Sequence, residues 1–546
     1  MRFLRSFLLL ALLGATLVGT VQCNSSARVE DPTPTPATST ATRNLAPEIA
    51  SLLAAASIPG SPTPAERHLL GRLYPIETPD PLWIDDAGGL TGAGRQAIEL
   101  LAGADSHGLN PSHYRVDMDP ASLAPFEVEL SLAMLRYLSD ISFGRVDPAS
   151  VGHHLPARGD RSTLPASLRR AASAGRTLEA VTDALPLLGN YEGLRNALVT
   201  YRALAAGPAL PALPANSPSI HVGEPLPWVA ALRAHLLASG DLPPSADAAV
   251  ADVYDPSLEG AVKQFQRRHG LTDDGVIGKG TLAALRVPVA TRVRQIEMAL
   301  ERLRWLPRDF TGRVILVNIP MFRLSAFDDI RSTAPALTMK VVVGTKGRYS
   351  TPVFASQVEH VVFRPYWNVP RSIVLGEILP KARVDADYLA AHRYELVRGN
   401  GDRGEVVPVS PESLQALAGG AVRLRQRPGP GNALGLVKFD LPNDYDVFLH
   451  DTPSQLAFQR DQRAQSHGCV RLEQPLELAA WVLDAPAWSR DNVTTASTAR
   501  DAQMVRVERP VHVVVVYTTA AADADGTVHF APDIYGHDLR LARVLR

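Results

Sequence analysis
At 546 residues the chain is too long for one hydrophobic core, so three or four domains are expected. Hydrophobic residues at 46% and charged residues at 20% exclude a wholly disordered chain, and a net charge of −1 argues against a nucleic-acid binder that depends on phosphate contacts. The two cysteines, Cys23 and Cys469, stand too far apart to form a disulfide framework.

Residues 1–23 read as a secretory signal: Arg2 and Arg5 precede an apolar run from Phe7 to Gly19, shorter than the roughly 20 residues a membrane span needs. Cys23 invites a lipoprotein reading, but Gln22 stands where that signal wants a small residue. Ordinary export with cleavage near Cys23–Ala27 is therefore expected, with an uncleaved or lipidated anchor as the alternative. Residues 24–45, rich in Pro, Thr, Ser and Ala, read as a flexible tether.

Residues 46–207 are expected to form a mostly α domain. Helical patterns begin at Ala46 and Ala65, and Val128, Leu130, Leu132, Leu135, Leu138 and Ile141 give Glu127–Phe143 an apolar face. A Pro/Ala-rich linker separates this region from a compact unit over 220–287. There Leu232, Leu236 and Leu237 line one helix face and Leu258, Val262 and Phe265 another, with Thr281 as the candidate N-cap of a last short helix. Residues 288–310 supply a connecting helix with the stripe Val293, Ile296, Leu300 and Leu303, and its charged residues, Arg292 and Arg302 among them, lie elsewhere around it.

From residue 311 the period becomes that of strands, as in Arg313–Ile319 and Thr338–Gly344. Residues 371–420 lose that pattern and read as a helical insertion, a candidate cap. Arg423, Arg425 and Arg427 follow, suited either to attracting an anionic substrate or to a solvated strand face. Pro475–Leu483 predicts a helix packed behind the preceding stretch. Residues 501–546 read as a C-terminal β extension, with a buried strand at Val511–Tyr517 and a hairpin around Asp525-Gly526.

Between insertion and helix lies Leu449–Leu472, where Leu-His-Asp-Thr-Pro precedes Ser-His-Gly-Cys-Val-Arg-Leu. A thiol attacks as thiolate, and its ordinary pKa of about 8.5 leaves little ionised at neutral pH unless an imidazole accepts the proton. His450 and His467 are the candidates. Their spacings from Cys469, nineteen and two residues, match no familiar zinc pattern, and no metal or other cofactor is expected. Gly468 lets the backbone turn so that main-chain N–H groups can face a carbonyl oxygen.

The stretch from Gly431-Asn-Ala-Leu-Gly435 to Leu472 resembles the L,D-transpeptidase (YkuD-type) catalytic domain. Gly344 and Thr351-Pro352 are similar to the pair that opens its β-sandwich. Tyr254–Gly278 is similar to a three-helix peptidoglycan-binding module, a repeat that elsewhere also serves as a rigid spacer. Pro81-Leu-Trp-Ile-Asp85, His107–Tyr114, Phe143–Pro148 and Tyr191–Arg202 resemble the scaffold region of the larger members. The resemblance implies a multi-domain α+β protein: a mostly α scaffold, a three-helix module and a β-sandwich-like catalytic domain over 311–500.

It further implies cysteine-dependent acyl transfer in cell-wall biogenesis, joining peptidoglycan stems by 3→3 crosslinks in the periplasm or cell envelope. Cys469 would be the acylated nucleophile and His450 its base, oriented by the backbone carbonyl of Asp451. Backbone N–H groups at His467, Gly468 and Cys469 would form the oxyanion hole, with Ser466 supporting the loop and Arg471 holding either the loop or a substrate carboxylate. An L,D-carboxypeptidase and a protein-to-wall ligase would share the thioester. A non-catalytic wall-binding scaffold would leave Cys469 inert, and a zinc peptidase would respond to chelators.

Overall fold
The computed structural model describes residues 44–75, 79–119, 121–244, 252–308, 310–385, 387–399, 404–429 and 431–545. The expected signal segment and nearly all of the expected tether lie outside these. The tether's last residue, Leu45, is instead buried in the first core.

That core is built by helices Ala46–Ala54, Pro64–Leu73, Gly92–Ala102, Leu123–Phe143, Leu164–Ser173 and Thr177–Ala184. Thr63 caps the second with a reciprocal Glu66 contact, and Pro64 occupies its first turn, where a missing N–H costs nothing. At the centre sits Glu127, fully buried. It accepts hydrogen bonds from the Tyr74 hydroxyl (2.6 Å) and from the backbone N–H groups of Leu82 (2.6 Å), Trp83 (3.0 Å) and Ile84 (3.1 Å). The Pro81–Asp85 motif is thus wrapped around one carboxylate.

Helix Tyr191–Ala206, expected within the same domain, belongs to another core. It packs on Val289–Leu303 and on residues of the β-sheet, Val314, Phe327 and Val514 among them. The expected connecting helix is therefore a hub. Its Arg302 is buried against Asp538 (2.5 Å), and Glu301 accepts the N–H groups of Arg145 (2.6 Å) and Val146 (3.0 Å). Arg304, 1% exposed, pairs with Glu301 (3.0 Å) and donates to the Tyr191 hydroxyl (2.9 Å) and the His107 carbonyl. Arg292 is buried too, so two of the charges that lie off the apolar stripe hold interfaces.

The module has helices Val229–Ala238, Pro256–Arg268 and Lys279–Leu285 around Leu232, Leu236, Leu258, Val262 and Phe265. Leu237 points outward at 40% exposure. Thr281 is not the N-cap: Gly278 is, and the Thr281 hydroxyl lies inside the helix, accepting from the Gln266 side chain (3.1 Å).

The catalytic-type sheet uses β1 (Val314–Asn318), β2 (Arg323–Phe327), β3 (Leu337–Gly344), β4 (Val353–Phe363), β5 (Val437–Asp440), β6 (Leu449–His450), β7 (Ala464–Ser466), β8 (Val470–Leu472) and β9 (Gln503–Val516). Its path runs β4-β5-β6-β8-β3-β2-β1-β9, with β7 beside β3, and β9 also pairs with β4. The sheet therefore closes on itself, which corrects the expected sandwich. Strands of 11 and 14 residues are long enough to bend across from one half to the other. Within the expected C-terminal β extension over 501–546, β9 is integral to this sheet: it seals it, and the barrel has no closed form without it. Helix Pro475–Leu483 packs into the same core, as expected.

The insertion is not purely helical. Short helical segments from Arg371 to Ala391 and the helix Pro411–Gly419 pack on a separate four-stranded sheet of Trp367–Asn368, Arg423–Gln426, Tyr394–Arg398 and Glu405–Val407. Leu396 and Leu424 are its buried face. Arg425 is buried and paired with Glu395 (2.8 Å), with Arg427 at 3.5 Å from the same carboxylate, so these arginines hold the insertion together. Among the described residues no helix is long and apolar enough to cross a membrane.

Candidate active site
Strand registry brings the chemistry together. β6 and β8 run parallel, with Leu449 opposite Val470 and His450 opposite Arg471. Leu449, Val470 and Leu472 are fully buried in the core. Side chains alternate along a strand, so His450, Arg471 and Cys469 share the other face. Lys438 on β5 pairs with His450 and joins them there.

The His450 ring is fixed from behind. Its Nδ1–H donates to the Asp451 backbone carbonyl at 2.5 Å, leaving the Nε2 lone pair on the face it shares with Cys469. The Asp451 carboxylate does not orient the ring. It accepts the N–H groups of Leu436 (2.8 Å) and Thr452 (2.7 Å), fastening the Gly431–Gly435 turn to β6. Gly435 adopts φ +64° against that carboxyl, and a Cβ there would collide with it.

Burial, assisted by Arg471, pushes the His450 imidazole down to about 3. Cys469 is half-buried, yet its sulfur is crowded by protein and burial pushes the thiol up to about 11. The resting pair is therefore neutral imidazole and neutral thiol, not the preformed thiolate that the sequence suggests. The thiol donates weakly to the Asp446 carbonyl (3.6 Å), which a left-handed Asp446 (φ 54°) presents to it.

The loop before the sulfur is stapled from several sides. The Ser466 hydroxyl donates to the Cys469 carbonyl (2.6 Å) and accepts the Gly468 N–H (3.1 Å). Gly468 has φ +121°, open to glycine and strained for other residues. The Thr351 hydroxyl donates to the Gly468 carbonyl (2.7 Å) and accepts the Gly344 N–H (2.8 Å), while the Tyr535 hydroxyl contacts the Gly344 carbonyl. Because its N–H is engaged, Gly468 drops out as an oxyanion donor. Among the described residues, the backbone N–H groups of His467 and Cys469 make no hydrogen bond.

The His467 side chain turns away from the thiol. Its ring meets Tyr349 edge-on and bonds Glu377 of the insertion at 2.7 Å. Arg471 is mostly buried, and its Nε has no partner among the described residues. Thr351 and Tyr535 are positioning residues that sequence reasoning missed, although both sit in segments singled out for their pattern. No group of three metal-ligating side chains occurs among the described residues.

Comparison with known proteins bears on these regions separately. Residues 312–513 match the YkuD family, described as "L,D-transpeptidase catalytic domain"; residues 68–198 match "Scaffold domain"; and residues 227–285 match "Putative peptidoglycan binding domain". A curated protein of Haemophilus influenzae named "Putative L,D-transpeptidase" is 34% identical over 250 residues, which cover 45% of this chain and 49% of that protein. The match thus spans about half the length of that relative. A crystal structure of the L,D-transpeptidase from Xylanimonas cellulosilytica is 16% identical, covering 56% of this chain and 100% of that one at a TM-score of 0.17, too low to carry any argument. One polypeptide thus carries a YkuD-type L,D-transpeptidase catalytic domain together with regions matching a scaffold domain and a peptidoglycan-binding domain.

Proposed function
We propose that the protein is a peptidoglycan L,D-transpeptidase of the cell envelope that forms 3→3 crosslinks through a thioester at Cys469. One observation carries this reading: the Asp451 carbonyl fixes the His450 Nδ1–H, so an unprotonated Nε2 shares a sheet face with the only free thiol among the described residues.

Attack begins from the neutral pair. As sulfur bonds to the carbonyl carbon of the third stem residue, the thiol proton passes to His450 Nε2. The tetrahedral oxyanion takes the N–H groups of His467 and Cys469, each such donor being worth about 3 kcal/mol. His450 then protonates the leaving amine, terminal D-Ala departs, and a thioester remains. The side-chain amine of a third residue on a neighbouring stem attacks that thioester, giving its proton to His450 and restoring the thiol. Half-buried and without an ion pair among the described residues, Arg471 supplies positive charge beside the developing anions. The insertion caps this groove, tied to the loop through Glu377 and His467.

The test is product analysis after incubating the full chain with synthetic tetrapeptide stems. Crosslinked dimers with released D-Ala are expected. Tripeptide alone would instead mean an L,D-carboxypeptidase, and protein attached to stem a ligase. Activity that chelators abolish and iodoacetamide spares would overturn the thiol mechanism.

A further inference from the structure
A second cleft lies between the peptidoglycan-binding module and the sheet, with a volume of about 610 Å³. That is ample for a short peptide segment. Thr272 of the module closes one side, its N–H and hydroxyl both donating to the Asp461 carboxylate (2.8 and 2.7 Å). Asp461 lies on the segment leading into β7 and the nucleophile loop.

The cleft contains an arginine with its stem buried and its charge unmatched. Arg463 is 7% exposed, its guanidinium lies 5.1 Å from the centre of the Phe322 ring, and Nη1 donates to the Arg460 carbonyl (2.6 Å). Its Nε is buried without a partner, and among the described residues it forms no ion pair. Asp461 and Glu473 favour the cation from a distance, and burial still pushes it down. A buried cation without a contacting counter-charge is costly, and a carboxylate from outside would relieve that cost. Lys340, exposed on β3, is a second lining cation that forms no ion pair among the described residues.

The cleft also shares a face with the nucleophile. Lys340 and Val342 are two residues apart on β3, and Val342 pairs with Arg471, which stands on the face of Cys469 and His450. We propose that this cleft is a substrate subsite holding a free carboxylate of a peptidoglycan stem on Arg463, with Lys340 in support. The proposal rests on the functional reading above for its substrate class. It makes the module one wall of the substrate path and not only a remote anchor.

The test measures dissociation constants on the full chain carrying Cys469→Ala, which binds without turnover. The ligands are a tetrapeptide stem and the same stem with its carboxylates amidated. The parent should prefer the carboxylate form by about tenfold or more. Arg463→Gln should remove most of that preference and Lys340→Gln about threefold of it, both leaving the affinity for the amidated stem unchanged. If Arg463→Gln does not fold, Lys340→Gln alone decides, because its side chain is exposed. Variants that keep the parental preference, or that lose both ligands equally, would overturn the subsite. Failure of acylation by the wild-type chain would sink the functional reading yet leave this binding measurement standing, so the two failures are distinguishable.

Discussion
Two buried polar centres in this molecule are built on opposite principles. Around Glu127 every approach is taken, with three backbone N–H groups and a tyrosine hydroxyl converging on one carboxylate. Around Cys469 the supporting atoms are tied down while the reactive ones are left open. Asp451, Thr351 and Ser466 hold the frame, whereas His450 Nε2, the His467 N–H and the Cys469 N–H make no hydrogen bond among the described residues. A saturated polar centre stabilises a fold; one with vacancies inside a rigid frame is prepared for a visitor.

The largest effect should come from emptying the open centre. Cys469→Ala and His450→Gln should each lower transpeptidation by about 10⁴-fold or more, with thermal unfolding little changed. Saturated polar centres should behave in the reverse way. Glu127→Ala strands three buried N–H groups and leaves the Tyr74 hydroxyl only Ser131, and should cost about 3–5 kcal/mol in the first thermal transition while sparing the chemistry of the surviving fold.

Sequence reasoning reached the open centre more readily than the saturated one. The His-Asp-Thr-Pro and Ser-His-Gly-Cys pattern is local, so Cys469, His450 and the Asp451 carbonyl could be read directly. Glu127 looks like any helix residue until Leu82–Ile84 fold over it, a contact spanning more than forty positions. The connecting helix is underread for the same reason: its sequence places Arg302 only off the apolar stripe and does not single out Arg304, and distant partners at Asp538 and Tyr191 are what hold them buried. Closure of the sheet was equally invisible, because it depends on β9 bending from β1 to β4. The insertion's strands are only two to five residues long and lack a clear alternation, so its helices dominated the reading.

Third comes the protonation state. With its folded-state value raised to about 11, the thiol is protonated throughout the neutral range. Alkylation of Cys469 by iodoacetamide should therefore rise about tenfold per pH unit, or about 100-fold between pH 7 and 9. A plateau by pH 8 would contradict the neutral pair. Next, Ser466→Ala frees the Gly468 N–H and the Cys469 carbonyl, and should lower kcat about tenfold with KM nearly unchanged. Smallest of all, Glu377→Ala cuts a half-exposed link to the insertion and should change kcat/KM less than about threefold.

The most direct test is intact-protein mass spectrometry of the full chain quenched during incubation with a tetrapeptide stem. The account predicts a mass increase equal to the tripeptide acyl group, located on Cys469 by digestion, with stoichiometric release of D-Ala and no adduct on Cys469→Ala. Unmodified Cys469 alongside continuing crosslink formation would contradict it.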